Sequence, residues 1–301
     1  MFLPYEQAFS TAMGGENYES ETLRFLASTE TTIGDIAAAI AQGKPAGFSI
    51  FALEQTKGRG GGVDKATGQV RQWFSAPGNL MLSYVIDADM DYPKEVEFTD
   101  MLAVGEIVAA LVPRGRTVYK FANDILVDDC KIAGGLYLPH PFPSRAAPLA
   151  SMSVGLNIVT PPPAAAMRDK SVAVAGTCFA DHGVDIDIPR FMRLFDAKRD
   201  ELGRIHRQQG FTAILQRIGF ADSTGLVTLY GRDGAPVCGS YAGFDAQQIR
   251  PDTYANFIRL RMDDGNIKAL AFTDYCAAAV IRPMAAVGGY APRPPDRGPH
   301  A

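Results

Sequence analysis

The segment Lys120-Phe-Ala-Asn123-Asp124-Ile-Leu-Val-Asp-Asp-Cys-Lys131-Ile-Ala-Gly134-Gly135 puts two lysines, an amide and a carboxylate within one short stretch. Ile125, Leu126 and Val127 predict a strand, Asp128-Asp129 a turn, and Ile132 the start of a second strand. If the strands pair, Asp124 and Lys131 stand side by side and face one site. Ala133-Gly134-Gly135 leaves room for close approach by a ligand or another backbone. A carboxylate that can hold a metal, beside lysines that can hold an anion, suits activation of a phosphate or a carboxylate. The same residues also fit a charged surface hairpin, so this segment does not decide alone.

A glycine-rich stretch, Gln55-Thr-Lys57-Gly58-Arg59-Gly60-Gly61-Gly62, follows the apolar run Phe48 to Leu53, which reads as a buried strand. Backbone of this kind can present successive N–H groups to phosphate oxygens, and Arg59 adds a guanidinium fork. No GK[ST] or GxGxxG pattern follows, so neither a Walker loop nor a dinucleotide fingerprint is present. Next comes Arg71-Gln-Trp73-Phe-Ser75-Ala-Pro-Gly78-Asn79-Leu-Met-Leu-Ser83, which carries the chain's one tryptophan. Trp73 fits core packing, and in a glycine-flanked loop it also fits a stacking platform for a nucleobase.

Together these segments resemble the biotin protein ligases. That family's pattern runs Gln-x-x-Gly-Arg-Gly, a Trp-x-Ser-Pro loop with glycine before Asn-Leu-x-x-Ser, Lys-Trp-Pro-Asn-Asp, a catalytic Lys-(Leu/Ile)-(Ala/Ser)-Gly, and a late Gly-x-Asn strand. Here Gln55 to Gly60, Trp73 to Ser83, Lys120 to Asp124, Lys131 to Gly134 and Val154-Gly155-Leu-Asn157-Ile158 appear in the same order. The likeness extends from about Ser28 to about Phe272. It departs from the pattern in two places. Phe121-Ala122 replaces Trp-Pro, and the glycine-rich loop runs on through Val63 to Val70 without its second arginine. Lys57, Lys65 and Arg71 are the candidates to replace that cation.

The resemblance implies an ATP-dependent ligase that makes biotinyl-5′-AMP and transfers biotin to a lysine of a biotin carboxyl carrier domain. It implies Lys131, Asp124 and Arg59 as catalytic residues. Arg59 and Lys131 meet the biotin carboxylate and the α-phosphate, and Asp124 orients or deprotonates the carrier lysine. The biotin site is expected from Thr31, Thr32, Gln55, Gly58, Arg59, Lys131 and Gly134. The nucleotide site is expected from Gly60, Arg71, Trp73, Lys120, Asn123 and Asn157, with Trp73 on or beside the adenine. Mg²⁺ is expected to bridge phosphate oxygens, with Asn123 or Asp124 nearby. Thr31 reads equally well as a helix N-cap.

The implied architecture is α+β: a mixed β-sheet flanked by helices, with a small SH3-like β-barrel at the C-terminus. Residues 1–20 form a polar N-terminal extension, 21–221 the catalytic domain, 222–281 the barrel and 282–301 a Pro/Gly-rich disordered tail. The residues themselves predict strands at Leu23–Thr29, Met81–Ile86 and Ser151–Val159, and helices at Thr31–Ile40 and Thr99–Leu111. A long amphipathic helix follows through Phe191, Leu194, Phe195, Leu202 and Ile205, then a shorter one over Thr212–Ile218. From Gly225 onward, short strands alternate with turns.

A hydrophobic content of 47% against 21% charged residues is ample for a core in a 301-residue chain. A net charge of −4 gives no support for nucleic-acid or membrane binding. Cys130, Cys178, Cys238 and Cys276 have no metal-binding spacing, which favours reduced thiols. The start lacks a basic, apolar secretory pattern, so a cytoplasmic enzyme is expected. The chain leaves no room for the helix-turn-helix domain that some members of the resembled family carry, so no DNA-binding domain is expected. His140, His182, His206 and His300 suggest no metal site. The resemblance allows a homodimer. Rival readings are a lipoate or octanoate ligase of related fold, and a binding protein that has lost turnover.

Overall fold

Leu82, Tyr84 and Ile86 enter one apolar core while Val85, between them in sequence, enters another. Such two-sided burial requires a sheet covered on both faces, and the rest of the fold follows from it. The computed structural model describes residues 3–63, 70–87, 94–140, 149–163, 175–231, 233–250, 253–276 and 278–280. The main sheet has nine strands in the order β1 (Tyr18–Glu19), β2 (Leu23–Leu26), β3 (Ser49–Ala52), β6 (Leu80–Asp87), β10 (Leu149–Leu156), β9 (Cys130–His140), β8 (Asp124–Val127), β7 (Thr117–Lys120) and β16 (Ala278–Val280). Among the described strand pairs of this sheet, β2–β3 alone is parallel.

Helix α2 (Thr32–Ala41) covers one face through Ile36, Ala39 and Ile40, packed with Phe48, Ile50 and Val85. The opposite face carries α3 (Lys94–Leu111), α4 (Ile188–Gln209) and α5 (Phe211–Ile218). Asp187 caps α4 by accepting from the Arg190 N–H at 2.7 Å, and Pro189 occupies its first turn, where a missing N–H costs nothing. Gly210, with φ +76, lets the chain turn into α5. No helix among the described residues is long and apolar enough to cross a membrane.

The first twenty residues, read as polar, include a helix, α1 (Leu3–Met13). Tyr5, Ala8, Phe9 and Ala12 recur at helical spacing, so a narrow apolar stripe is hidden among polar neighbours. Ala8 and Ala12 are buried, the Tyr5 ring meets Phe51, Phe9 meets Phe25, and Tyr5 donates to Asp196 on α4 at 2.8 Å.

A curled antiparallel sheet of five strands forms the C-terminal part, in the order β14 (Ile267–Ala271), β13 (Thr253–Arg261), β12 (Pro236–Arg250), β11 (Leu226–Gly231), β15 (Tyr275–Cys276). Its long β12–β13 hairpin is bent by register shifts between Tyr241 and Phe244 and between Gln248 and Arg250. Phe244 and Phe272 bring it against Phe98 of α3 and Phe121 of the β7–β8 turn. The chain then returns to the main sheet, where Ala278 pairs with Lys120. The expected disordered tail lies outside the described residues, as does Lys65.

Candidate active site

Strand β8 begins at Asp124 and ends at a two-residue turn, Asp128-Asp129, whose φ values of 49° and 65° are both left-handed. Hairpins of this length favour that geometry because it matches the twist of the strands. The Arg116 N–H donates to Asp128 Oδ1 at 2.8 Å and steadies the turn. Across it, β9 carries Lys131 back past Asp124. Lys131 Nζ lies 2.5 Å from Asp124 Oδ1, and Lys120 Nζ lies 3.5 Å from Oδ2. The three side chains are between 12% and 18% exposed, so their charges act in a partly desolvated site. The expected lysine–carboxylate cluster is therefore assembled.

Glycines make the space for it. Gly134 stands opposite Asp124, and a Cβ there would lie 2.9 Å from Lys131 Nζ and 3.2 Å from Asp124 Oδ1. A Cβ at Gly135 would meet Met101 and Met152 at 2.7 Å, so that gap is filled by core packing rather than left for a ligand. Asn123 is half-buried and held against the backbone. Its amide donates to the Gly135 carbonyl, and the Gly135 N–H donates back to Asn123 O at 2.9 Å. Asn157 is likewise engaged, donating to the carbonyls of Thr177 at 3.0 Å and Lys131 at 3.4 Å. Both asparagines shape the backbone around Lys131.

A second group of polar residues surrounds Gln55. Its Oε1 accepts from the Thr32 N–H at 2.7 Å and the Thr32 hydroxyl at 3.1 Å, and its Nε2 donates to Ser75 Oγ at 2.8 Å. Thr32 extends into a buried hydroxyl chain through Ser83 at 2.9 Å and on to Ser153 at 2.7 Å. Ser83 and Ser153 are register partners on β6 and β10. Ser83 closes the Asn-Leu-x-x-Ser motif, whereas Ser153 carries no motif and shows in the sequence only as a serine inside an apolar strand. Thr31 holds the N-cap position of α2, but its side chain makes no capping bond. Gly58 is buried, and a Cβ there would run into the Trp73 carbonyl and Ser75 Oγ.

The glycine-rich stretch forms one arm of a hairpin. Arg59 and Gly60 begin β4 (Arg59–Val63), which pairs with β5 (Val70–Gln72), with Arg59 opposite Gln72 and Val63 opposite Val70. Residues 64–69, between the two strands, lie outside the described residues. Extended backbone continues to Trp73, whose N–H donates to the Gly58 carbonyl at 2.8 Å. Strand alternation puts Arg71 and Trp73 on one side. The indole lies on the bare Cα of Gly155, where a Cβ would come within 2.5 Å of the ring, and its centroid is 5.2 Å from Lys131 Nζ. Lys57, one of the three replacement cations, is exposed and paired with Glu30 at 2.6 Å.

Arg71 Nε, Trp73 Nε1 and Thr31 Oγ1 are buried and have no hydrogen-bond partner among the described residues. Buried donors without acceptors are costly, so their presence here suits an anionic or acceptor-rich ligand such as a nucleotide. A resident metal is a poorer match. Both oxygens of Asp124 face ammonium groups, and Asn123 is spent on protein partners. Among the described residues, no three His, Cys, Asp or Glu side chains group as a metal site.

No protein-family model matches the sequence, and no curated protein matches it. Solved structures do. Biotin protein ligase from Aquifex aeolicus in complex with biotin and ATP is 17% identical, with a TM-score of 0.53 over 87% of this chain and 100% of its own. The apo form of the Aquifex protein is 14% identical, with a TM-score of 0.51 over 86% and 99%. Biotin protein ligase from Leishmania major in complex with biotinyl-5-AMP is 18% identical, with a TM-score of 0.50 over 84% and 99%. The mixed sheet, its flanking helices and the small C-terminal sheet together are the fold of the biotin protein ligases.

Proposed function

We propose that the chain is an ATP-dependent ligase that converts biotin to biotinyl-5′-AMP and passes the biotinyl group to a lysine of a biotin carboxyl carrier domain. The observation that carries this reading is the position of Lys131, 2.5 Å from Asp124 and 5.2 Å from the Trp73 ring centroid. An ammonium held in this way can serve both an acyl carboxylate and a nucleotide phosphate.

In the first step a biotin carboxylate oxygen attacks the α-phosphorus of ATP. A P–O bond forms, the bond to the β-phosphate bridge breaks, and pyrophosphate leaves with its electrons. Two anions approach, so cations must offset their repulsion. Lys131 and Arg59 serve the carboxylate and α-phosphate, Lys120 the phosphates, and Mg²⁺ enters as the counter-ion of the nucleotide itself. Arg71 and Trp73 offer the orphaned donors and the ring for the nucleotide. In the second step the carrier amine attacks the acyl carbon and AMP leaves. Asp124 orients that amine or accepts its proton.

The hydroxyl chain Thr32–Ser83–Ser153 beside Gln55 favours biotin over lipoate or octanoate, because a ureido ring offers hydrogen-bonding groups where an alkyl chain has none. Incubating the protein with ATP, Mg²⁺ and biotin and looking for biotinyl-5′-AMP by mass spectrometry tests the reading. Absence of the adenylate at every protein concentration would refute it.

A further inference from the structure

Behind the site, at the first turn of α3, lies an ion pair that no step above uses. Lys94 and Glu97 are in contact, with side chains 8% and 0% exposed. The Lys94 ammonium sits between the rings of Tyr137 and Phe272, 5.4 Å from each centroid. Burial pushes Lys94 down to about 7. Glu97 Oε1 accepts from the Tyr137 N–H at 3.0 Å and from the Asn123 amide at 3.4 Å. Asn123 is bonded in turn to both backbone groups of Gly135 and precedes Asp124 directly.

A buried ion pair is weak evidence for stability, since apolar residues of similar volume serve as well or better. Its connections here run to the backbone of β9 and to the turn that carries Asp124. We propose that the Lys94–Glu97 pair is a positioning device, fixing Asn123 so that Asp124 meets Lys120 and Lys131 in register. This rests on the ligase reading above.

The double variant Lys94→Met/Glu97→Leu removes the pair without leaving a lone buried charge. The expected result is a melting temperature equal to or above wild type, unchanged KM for ATP and biotin, and kcat for adenylate formation lower by about a hundredfold. Lys94→Met/Glu97→Gln restores an uncharged acceptor for Asn123 and Tyr137, and should recover most of that loss. The amide exchange of Gly135, whose N–H bonds to Asn123 O, should quicken in the first variant and not in the second. Wild-type turnover and wild-type exchange in the first variant would overturn the proposal. Loss of folding in that variant would overturn it too, by assigning the pair to stability. If the wild-type protein forms no adenylate, the ligase reading fails, and the Gly135 exchange rates still decide the positioning claim.

Discussion

Lys131 Nζ reaches Asp124 Oδ1 at 2.5 Å because the residue opposite Asp124 is Gly134, whose missing Cβ leaves the path along which the lysine folds back. The pair is a property of the hairpin: a left-handed Asp128-Asp129 turn closes it, a register shift between Ile125 and Leu126 brings Gly134 opposite Asp124, and the glycine clears the ground.

Removing the ammonium should cost chemistry rather than structure. Lys131→Ala leaves Asp124 paired with Lys120, so no carboxylate is stranded. Adenylate formation should fall by about 10²–10³ or more, as expected for loss of a preorganised charge at a developing anion. Pyrophosphate release and a thermal melt on the same sample check this. Full activity in a folded Lys131→Ala protein would remove Lys131 from the mechanism.

Trp73 rests on Gly155 with no room for a methyl group between them. Gly155→Ala should lift the indole from its place near Lys131, shift its fluorescence and raise KM for ATP more than KM for biotin. Tryptophan emission reports this cleanly because Trp73 is the sole tryptophan. An unchanged spectrum with unchanged KM would show that the ring's seat is not needed.

Asn79 is a structural residue within a motif otherwise read for its chemistry. Fully buried, it donates to the Thr160 carbonyl at 2.7 Å and accepts from the N–H groups of Ile158, Val159 and Thr160 at 2.9, 3.0 and 3.2 Å. Asn79→Ala strands those groups and should destabilise the fold by about 3 kcal/mol, read from urea denaturation. A loss in activity without a loss in stability would contradict this assignment.

Burial holds the His140 imidazole below its ordinary pKa, with Nε2 2.8 Å from Ser151 Oγ. The unfolded chain then binds the proton more readily than the folded one, so stability falls as pH drops below about 6.5. Above that pH both states are neutral at this group and it contributes no slope. His140→Gln should flatten the decline between about pH 6.5 and the carboxylate range. Parallel declines in the two proteins, followed by denaturant melts, would exclude His140 as the source.

Much of this was legible because the signals were local. The Asp-Asp turn, the strands beside it and the Lys131 to Asp124 spacing all sit within one hairpin, and order along the chain linked them to Gln55 and Trp73. Signals that depend on a third element were not legible. Glu97 lies ahead of the helix start expected at Thr99, and only the approach of β9 and Asn123 gives it a role. Ser83 and Ser153 meet through a register that no stretch of sequence displays. The α1 stripe was too narrow to stand out.

The most direct test is pyrophosphate release by the purified protein with ATP and Mg²⁺, run in parallel with biotin, lipoate and octanoate. The predicted result is release with biotin, accompanied by biotinyl-5′-AMP, and none with the other two acids. Release only with lipoate or octanoate, or tight biotin binding with no release from any acid, would contradict the account.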